Sequence, residues 1–186
     1  KCCDKLKNCF LDRVFDFRVY LYLRLGGCVM FVIGDKIVYP MHGAGVIEEI
    51  EDKQILGEIR RYYILRVPCG DMKIMIPVES CDDIGVRSII SVEEIEDVLR
   101  VLGAETTEMS NNWNRRYREN MEKLKTGSVY NVAEVVRNLM RSDKERKLST
   151  GEKKMLTNAK QILISEIVLV ENIDHESAEE IVNSAV

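Results

Sequence analysis

The stretch KIVYPMHGAGVIEEI, residues 36–50, reads as two short strands separated by a turn. Lys36-Ile37-Val38-Tyr39 forms the first strand and is halted by Pro40, which has no N–H to give to a ladder. Gly43 and Gly45 allow a tight turn, and Val46 to Ile50 resumes extended chain. Beyond Gly57, Ile59 to Val67 alternates well enough for a third strand, with Tyr63, Leu65 and Val67 on one face. Cys69-Gly70-Asp71 supplies the next turn. In the fourth strand Met72, Ile74, Ile76 and Val78 alternate with Lys73, Met75 and Pro77. Several short antiparallel strands this close together predict a small, highly twisted β-barrel.

Past Ser91 the period becomes helical, and no proline follows Pro77. Ser91 with Glu94, and Ser149 with Glu152, have the spacing of a capping box, in which each end of the motif satisfies a free N–H of a helix start. Helices are predicted near residues 92–102, 113–125, 130–141, 150–171 and 175–185. Met155, Ile162, Leu163, Ile167 and Val170 give the fourth a buried stripe. Gly103 to Asn111 is polar and aperiodic, so it reads as a loop. The expected fold class is α+β: a small Tudor/SH3-like antiparallel β-barrel over residues 30–90, then a compact all-helical domain over 91–186.

The chain has 186 residues, 46% of them hydrophobic, which is enough for a real core. Its net charge of -4 hides an asymmetry. Residues 30–106 carry eight Lys/Arg against fifteen Asp/Glu, whereas residues 107–154 carry twelve against seven. A local basic patch on an acidic protein suits a directed contact with nucleic acid. Cys2, Cys3, Cys9 and Cys28 crowd the beginning, far from Cys69 and Cys81, and no metal-ligand spacing links them to His42 or His175. A reducing cytoplasm is the expected home. The apolar run from Phe10 to Val32 is broken by Asp12, Arg13, Asp16, Arg18 and Arg24, so it reads as neither a membrane span nor a signal-peptide core. Met30, followed by Phe31-Val32-Ile33-Gly34-Asp35, reads as a natural start. Gly26-Gly27 just before it can be encoded by a purine-rich ribosome-binding sequence, so residues 1–29 are expected to be a non-native upstream extension. An extra helix or strand over residues 9–25 is the other reading.

No catalytic constellation emerges, and neither a cofactor nor a small-molecule substrate is expected. Gly43-Ala44-Gly45 lacks the helix and spacing of a dinucleotide site, and there is no phosphate-binding P-loop. His42 has no nucleophile beside it and reads as a turn residue. Glu48, Glu49, Glu51 and Asp52 lack the glycine and oxygen spacing of a calcium loop, and read as a solvated strand end.

Positive chemistry lies in Asn112-Trp113-Asn114-Arg115-Arg116-Tyr117-Arg118, which holds the chain's single tryptophan. Arginines neutralise phosphates, and an exposed aromatic stacks on bases or wedges between them. On a helix Trp113, Arg116 and Tyr117 fall at i, i+3 and i+4, with Asn112, Arg115 and Arg116 on neighbouring faces. Tyr117, Met121 and Leu124 are expected to face inward and leave Trp113 at the helix lip. Lys153 and Lys154 are further candidates for phosphate contact if the start of the long helix lies close to Arg116. The same tryptophan could instead be a core anchor with a bonded indole.

Gly34-Asp35, Val38-Tyr39-Pro40-Met41-His42-Gly43-Ala44-Gly45, Asn112-Trp113 with Arg115-Arg116-Tyr117, Ala133-Glu134-Val135-Val136-Arg137 and Leu148-Ser149-Thr150-Gly151-Glu152-Lys153 occur in this order. Together they resemble the CarD/CdnL family of bacterial transcription regulators, over residues 30–186. The resemblance implies a factor without enzymatic activity, whose barrel binds the RNA polymerase β subunit and whose helical domain touches promoter DNA at the upstream edge of the melted bubble. It assigns the polymerase contact to Lys53, Ile55 and the outward side of Lys73, Ile74, Met75 and Ile76. It gives Trp113 the role of a wedge, with Arg115, Arg116 and Arg118 as phosphate anchors. Relatives commonly place arginine where this chain has Lys53 and Met75; lysine keeps the charge without the bidentate fork, and methionine keeps neither. The alternative is a polymerase-binding adaptor that never touches DNA and uses Trp113 as core.

Overall fold

Ile37 and Val38 are almost completely enclosed, because the strand that carries them lies between two others. The computed structural model describes residues 31–55, 57–68 and 72–186, of which Val32 to Val186 form one compact unit. The turn expected at Cys69-Gly70-Asp71 and every expectation for residues 1–30 lie outside the described residues. The class is α+β as expected: a five-stranded antiparallel sheet followed by helices.

The strands are β1 (Lys36–Tyr39), β2 (Gly43–Ile55), β3 (Glu58–Val67), β4 (Met72–Pro77) and β5 (Arg87–Ser88), in spatial order β4-β3-β2-β1-β5. β2 is far longer than the expected Val46 to Ile50. β1 covers it only as far as Val46, and β4 reaches β3 only from Tyr62 onward, so Asp52–Ile55 and Glu58–Arg61 pair only with each other. They form a two-stranded arm beyond the sheet, turned at Gly57 with φ +88. Between β4 and β5 lie a 3-10 turn (Val78–Ser80) and the single-turn helix α1 (Cys81–Ile84), which the periodicity does not announce.

Five helices follow: α2 (Val92–Gly103), α3 (Trp113–Lys125), α4 (Val129–Glu145), α5 (Thr150–Glu171) and α6 (His175–Ala185). α2 and α5 begin with complete capping boxes at Ser91/Glu94 and Ser149/Glu152, as their spacing predicts. α5 is the spine of the unit, touching β2, α4 and α6. Its buried residues include Met155, Ala159, Ile162, Leu163 and Ile167.

The sheet is joined to α5 by polar contacts as well as apolar ones. Ala44 N donates to Ser165 Oγ at 2.8 Å, and that hydroxyl donates to Ile162 O at 2.7 Å. Arg87 grips the buried Glu166 with both terminal nitrogens, at 2.6 and 2.9 Å, and Ile90 N adds a bond at 3.1 Å. Here the structure keeps Gly43, at φ +99, as the residue that leaves the turn and corrects the reading of Gly45. The turn is Pro40 to His42, with Met41 at φ 69, and Gly43 and Gly45 lie inside β2. A Cβ on Gly43 would stand 2.5 Å from Ser165 Oγ, and one on Gly45 would stand 2.5 Å from Arg66 O. Gly45 is required for the close approach of β3, and Gly43 both for that of the helix and for its own φ of +99.

Candidate nucleic-acid interface

α3 starts where Asn112 Oδ1 accepts the backbone N–H of Arg115, at 3.1 Å, which leaves Trp113 in the first helical position with its ring at the helix end. The indole stacks on Tyr117 one turn later, centroids 5.4 Å apart and planes 27° from parallel. Trp113 Nε1 donates to Ser149 Oγ, the cap of α5, at 2.9 Å. Opposite the rings stands Gly151, where a Cβ would come within 3.4 Å of the indole Cζ2 and 3.6 Å of Tyr117 Cε2. Bare backbone there lets the aromatic pair lie flat against the start of α5. The rest of the indole faces solvent, and Trp113 is 43% exposed.

Behind the ring is an ion pair. Ser149 Oγ donates to Glu152 Oε2 at 2.8 Å, and Arg116 holds Glu152 Oε1 at 2.7 Å while also donating to Ser110 O at 2.9 Å. Burial by itself would raise the Glu152 carboxyl, but the hydrogen bonds from Ser149 and Arg116 outweigh it and hold the group below the ordinary carboxylate range. The chain of contacts from indole to hydroxyl to carboxylate to guanidinium fixes the pose of Trp113.

That geometry overturns one expectation. Arg116 is only 5% exposed and is committed to Glu152, so it cannot anchor a phosphate. Its i+3 spacing from Trp113 does put it on the same side of α3, but that side faces α5. Arg115 is exposed and holds Glu119 at 2.7 Å, an ordinary surface pair on one helix. Arg118, Lys153 and Lys154 are exposed, and their charged groups have no partner among the described residues. Lys154 stands three residues along α5 from Gly151, on the same side of that helix. Asn112 caps the helix as described, with the rest of its surface in solvent.

The residues assigned to the sheet surface divide in the same way. Ile55 and Met75 are exposed, Ile74 is half-buried, and Ile76 is fully buried in the core and offers nothing to a partner. Ile76 points inward because it pairs with Tyr63 of β3, itself enclosed. Lys53 holds Glu51 at 3.0 Å, and Lys73 holds Glu48 at 2.9 Å. The acidic cluster is therefore not a bare strand end. Lys73, joined by Arg66, holds the Glu48 carboxyl below its usual range, and Arg61 does the same to Asp52. Ile50, Ile59 and Met72 are exposed as well, but on the opposite face of the sheet from Ile55 and Met75, and sequence reasoning missed them. Ile59 shares the parity of the buried Tyr63 and Leu65, yet it lies on the arm, where no core covers it, and is 73% exposed. His42 lies in the turn and stacks on Tyr39. Among the described residues no group of His, Cys, Asp and Glu could hold a metal ion, and no helix is long and apolar enough to cross a membrane.

Residues 31–90 match the family model for the CarD-like/TRCF RID domain, and residues 97–183 match the one for the CarD C-terminal domain. Over 144 residues the chain is 42% identical to "Putative transcription factor YdeB" of Bacillus subtilis (strain 168), an overlap covering 77% of this chain and 94% of that protein.

Proposed function

The chain belongs to the CarD family of transcription-related proteins, and from that premise we propose that it binds the RNA polymerase β subunit and prolongs the life of the promoter open complex by inserting Trp113 beside the melted bases. The observation that carries this reading is the half-exposed indole. A core tryptophan would be enclosed. This one presents a free edge while its other edge is bonded to Ser149 and stacked on Tyr117.

Insertion into the minor groove at the upstream edge of the bubble gives the open state a contact that reannealing must surrender. Because the ring is already held, little freedom is lost on binding. Arg118, Lys153 and Lys154 supply phosphate contacts, which position the protein without reading sequence. The sheet supplies the polymerase contact through Ile55, Met75 and the half-buried Ile74, with β4 as an edge strand whose outer backbone groups are free to pair. On this reading the protein is a regulator rather than an enzyme, and works in the cytoplasm wherever polymerase sits on DNA.

The test is the dissociation rate of purified polymerase from a promoter, with wild type or Trp113→Ala. One stacking contact, about 1 to 3 kcal/mol, makes the open complex about five- to 150-fold longer-lived. Equal lifetimes with both proteins folded and polymerase-bound would reject the mechanism and favour an adaptor without DNA contact.

A further inference from the structure

Most Lys and Arg side chains among the described residues have a partner: a carboxylate, or a carbonyl as with Lys36 on Leu169 O and Arg141 on Ala104 O. Those without any hydrogen bond or ion pair are Arg118, Lys144, Arg146, Lys147, Lys153 and Lys154. Three of these belong to the proposed DNA contact already. The other three, Lys144, Arg146 and Lys147, sit together where α4 ends and the chain turns into α5, and all three are exposed.

The turn that displays them is held by hydrogen bonds and a buried leucine. Arg146 N donates to Ser142 O at 2.8 Å, Leu148 N donates to Asp143 Oδ1 at 3.1 Å, and Leu148 is buried. Asp143 accepts that bond but keeps its charge, and Glu145 has no bond among the described residues, so residues 143–147 carry three positive charges against two negative. Lys147 is two residues from Ser149, whose hydroxyl receives the indole N–H, so its backbone lies within about 7 Å of that cap. Three free cations on a fixed turn beside the aromatic edge suit a regularly spaced polyanion better than an acidic peptide.

We infer that the turn between α4 and α5 is a second nucleic-acid contact, in which Lys144, Arg146 and Lys147 bind the phosphate backbone of double-stranded DNA adjoining the point where Trp113 enters. This rests on the proposed function and extends it: the wedge meets the fork, and the turn grips the duplex behind it. No base readout is involved.

The test is fluorescence anisotropy with a labelled blunt duplex and with one that opens into unpaired strands at one end, each over a series of potassium chloride concentrations. The proteins are wild type, Trp113→Ala and the triple variant Lys144→Ala, Arg146→Ala, Lys147→Ala, whose changes remove exposed, unpartnered side chains. The slope of log affinity against log salt is expected to become shallower in the triple variant by about 0.9 for each phosphate that is no longer neutralised, on both duplexes. Trp113→Ala is expected to keep the slope and lose the preference for the open-ended duplex. An unchanged slope in the triple variant, with that preference still absent in Trp113→Ala, would overturn this inference alone. So would a triple variant that binds DNA normally but RNA polymerase poorly, since the turn would then face protein. Absence of wild-type binding to either duplex at low salt would overturn the inference and the DNA half of the proposed function together.

Discussion

On the sheet, Lys53, Arg60, Arg61, Arg66 and Lys73 each hold a carboxylate, of Glu51, Glu58, Asp52 or Glu48. Around the start of α5, the exposed Arg118, Lys144, Arg146, Lys147, Lys153 and Lys154 hold none. The two surfaces are similarly rich in charge, yet they project different fields. Opposite charges a few ångströms apart cancel at a distance, so what distinguishes the sheet to an approaching molecule is its exposed Ile50, Ile55, Ile59, Met72 and Met75. Unpaired cations instead attract a polyanion and release its counterions on contact. Counting charges in the sequence cannot separate these cases, because the decisive quantity is who pairs with whom.

The strongest way to break this contrast is to attack the exception, the buried pair beneath Trp113. Glu152→Ala leaves the Arg116 guanidinium enclosed without its counter-charge, and is expected to lower unfolding stability by about 3 to 5 kcal/mol, read from urea titrations. The double variant Arg116→Ala, Glu152→Ala should lose less than the two single losses added together. A loss below about 1 kcal/mol in Glu152→Ala would mean the pair does not organise the site. Acid probes the same pair without mutation. The carboxyl titrates below its ordinary 4.5 in the folded protein, so its stabilisation is complete above that value and disappears as pH falls through the lowered one. Because Trp113 is the chain's single tryptophan, its emission reports the change directly, and Glu152→Gln should lack that transition.

Next in size is the apolar sheet surface. Ile55→Ser with Met75→Ser, two exposed residues on one face of the sheet, should weaken polymerase binding about tenfold with the fold intact, and this binding should change little with salt. A steep salt dependence would show that the sheet's charges do face the partner. Smaller again is Ser149→Ala, which removes a helix cap and the acceptor of the indole N–H; about 1 kcal/mol of stability should go, with a shift in Trp113 emission. Smallest are Arg60→Ala and Arg61→Ala, each expected to leave the thermal unfolding midpoint unchanged, since their ion pairs are open to water.

Local signals are legible in the sequence and distant ones are not. The start of α2 and that of α5 follow from Ser91/Glu94 and Ser149/Glu152, and the half-exposed Trp113 from its place at the first turn of α3. Arg116 escapes such a reading because its partner Glu152 is thirty-six residues away, and helical spacing says which side a residue is on without saying what covers that side. The same holds for the close approach at Gly43, which Ser165, 121 residues beyond the neighbouring Ala44 that it bonds, imposes in addition to the local φ of +99. The length of the β2–β3 arm is hidden for the opposite reason: outside the sheet no core imposes an alternation to read.

α5 is also a ruler. Its cap, Ser149, holds the indole, and Ser165 seats β2, so sixteen helical steps set the indole about 24 Å along the axis from the sheet. Inserting one residue between those serines would lengthen the gap by about 1.5 Å and swing one end by about 100° relative to the other. Under the proposed function, in which the protein stands on polymerase and reaches a fixed point on DNA, the length of this helix is part of the specification, as binding as any side chain at either end.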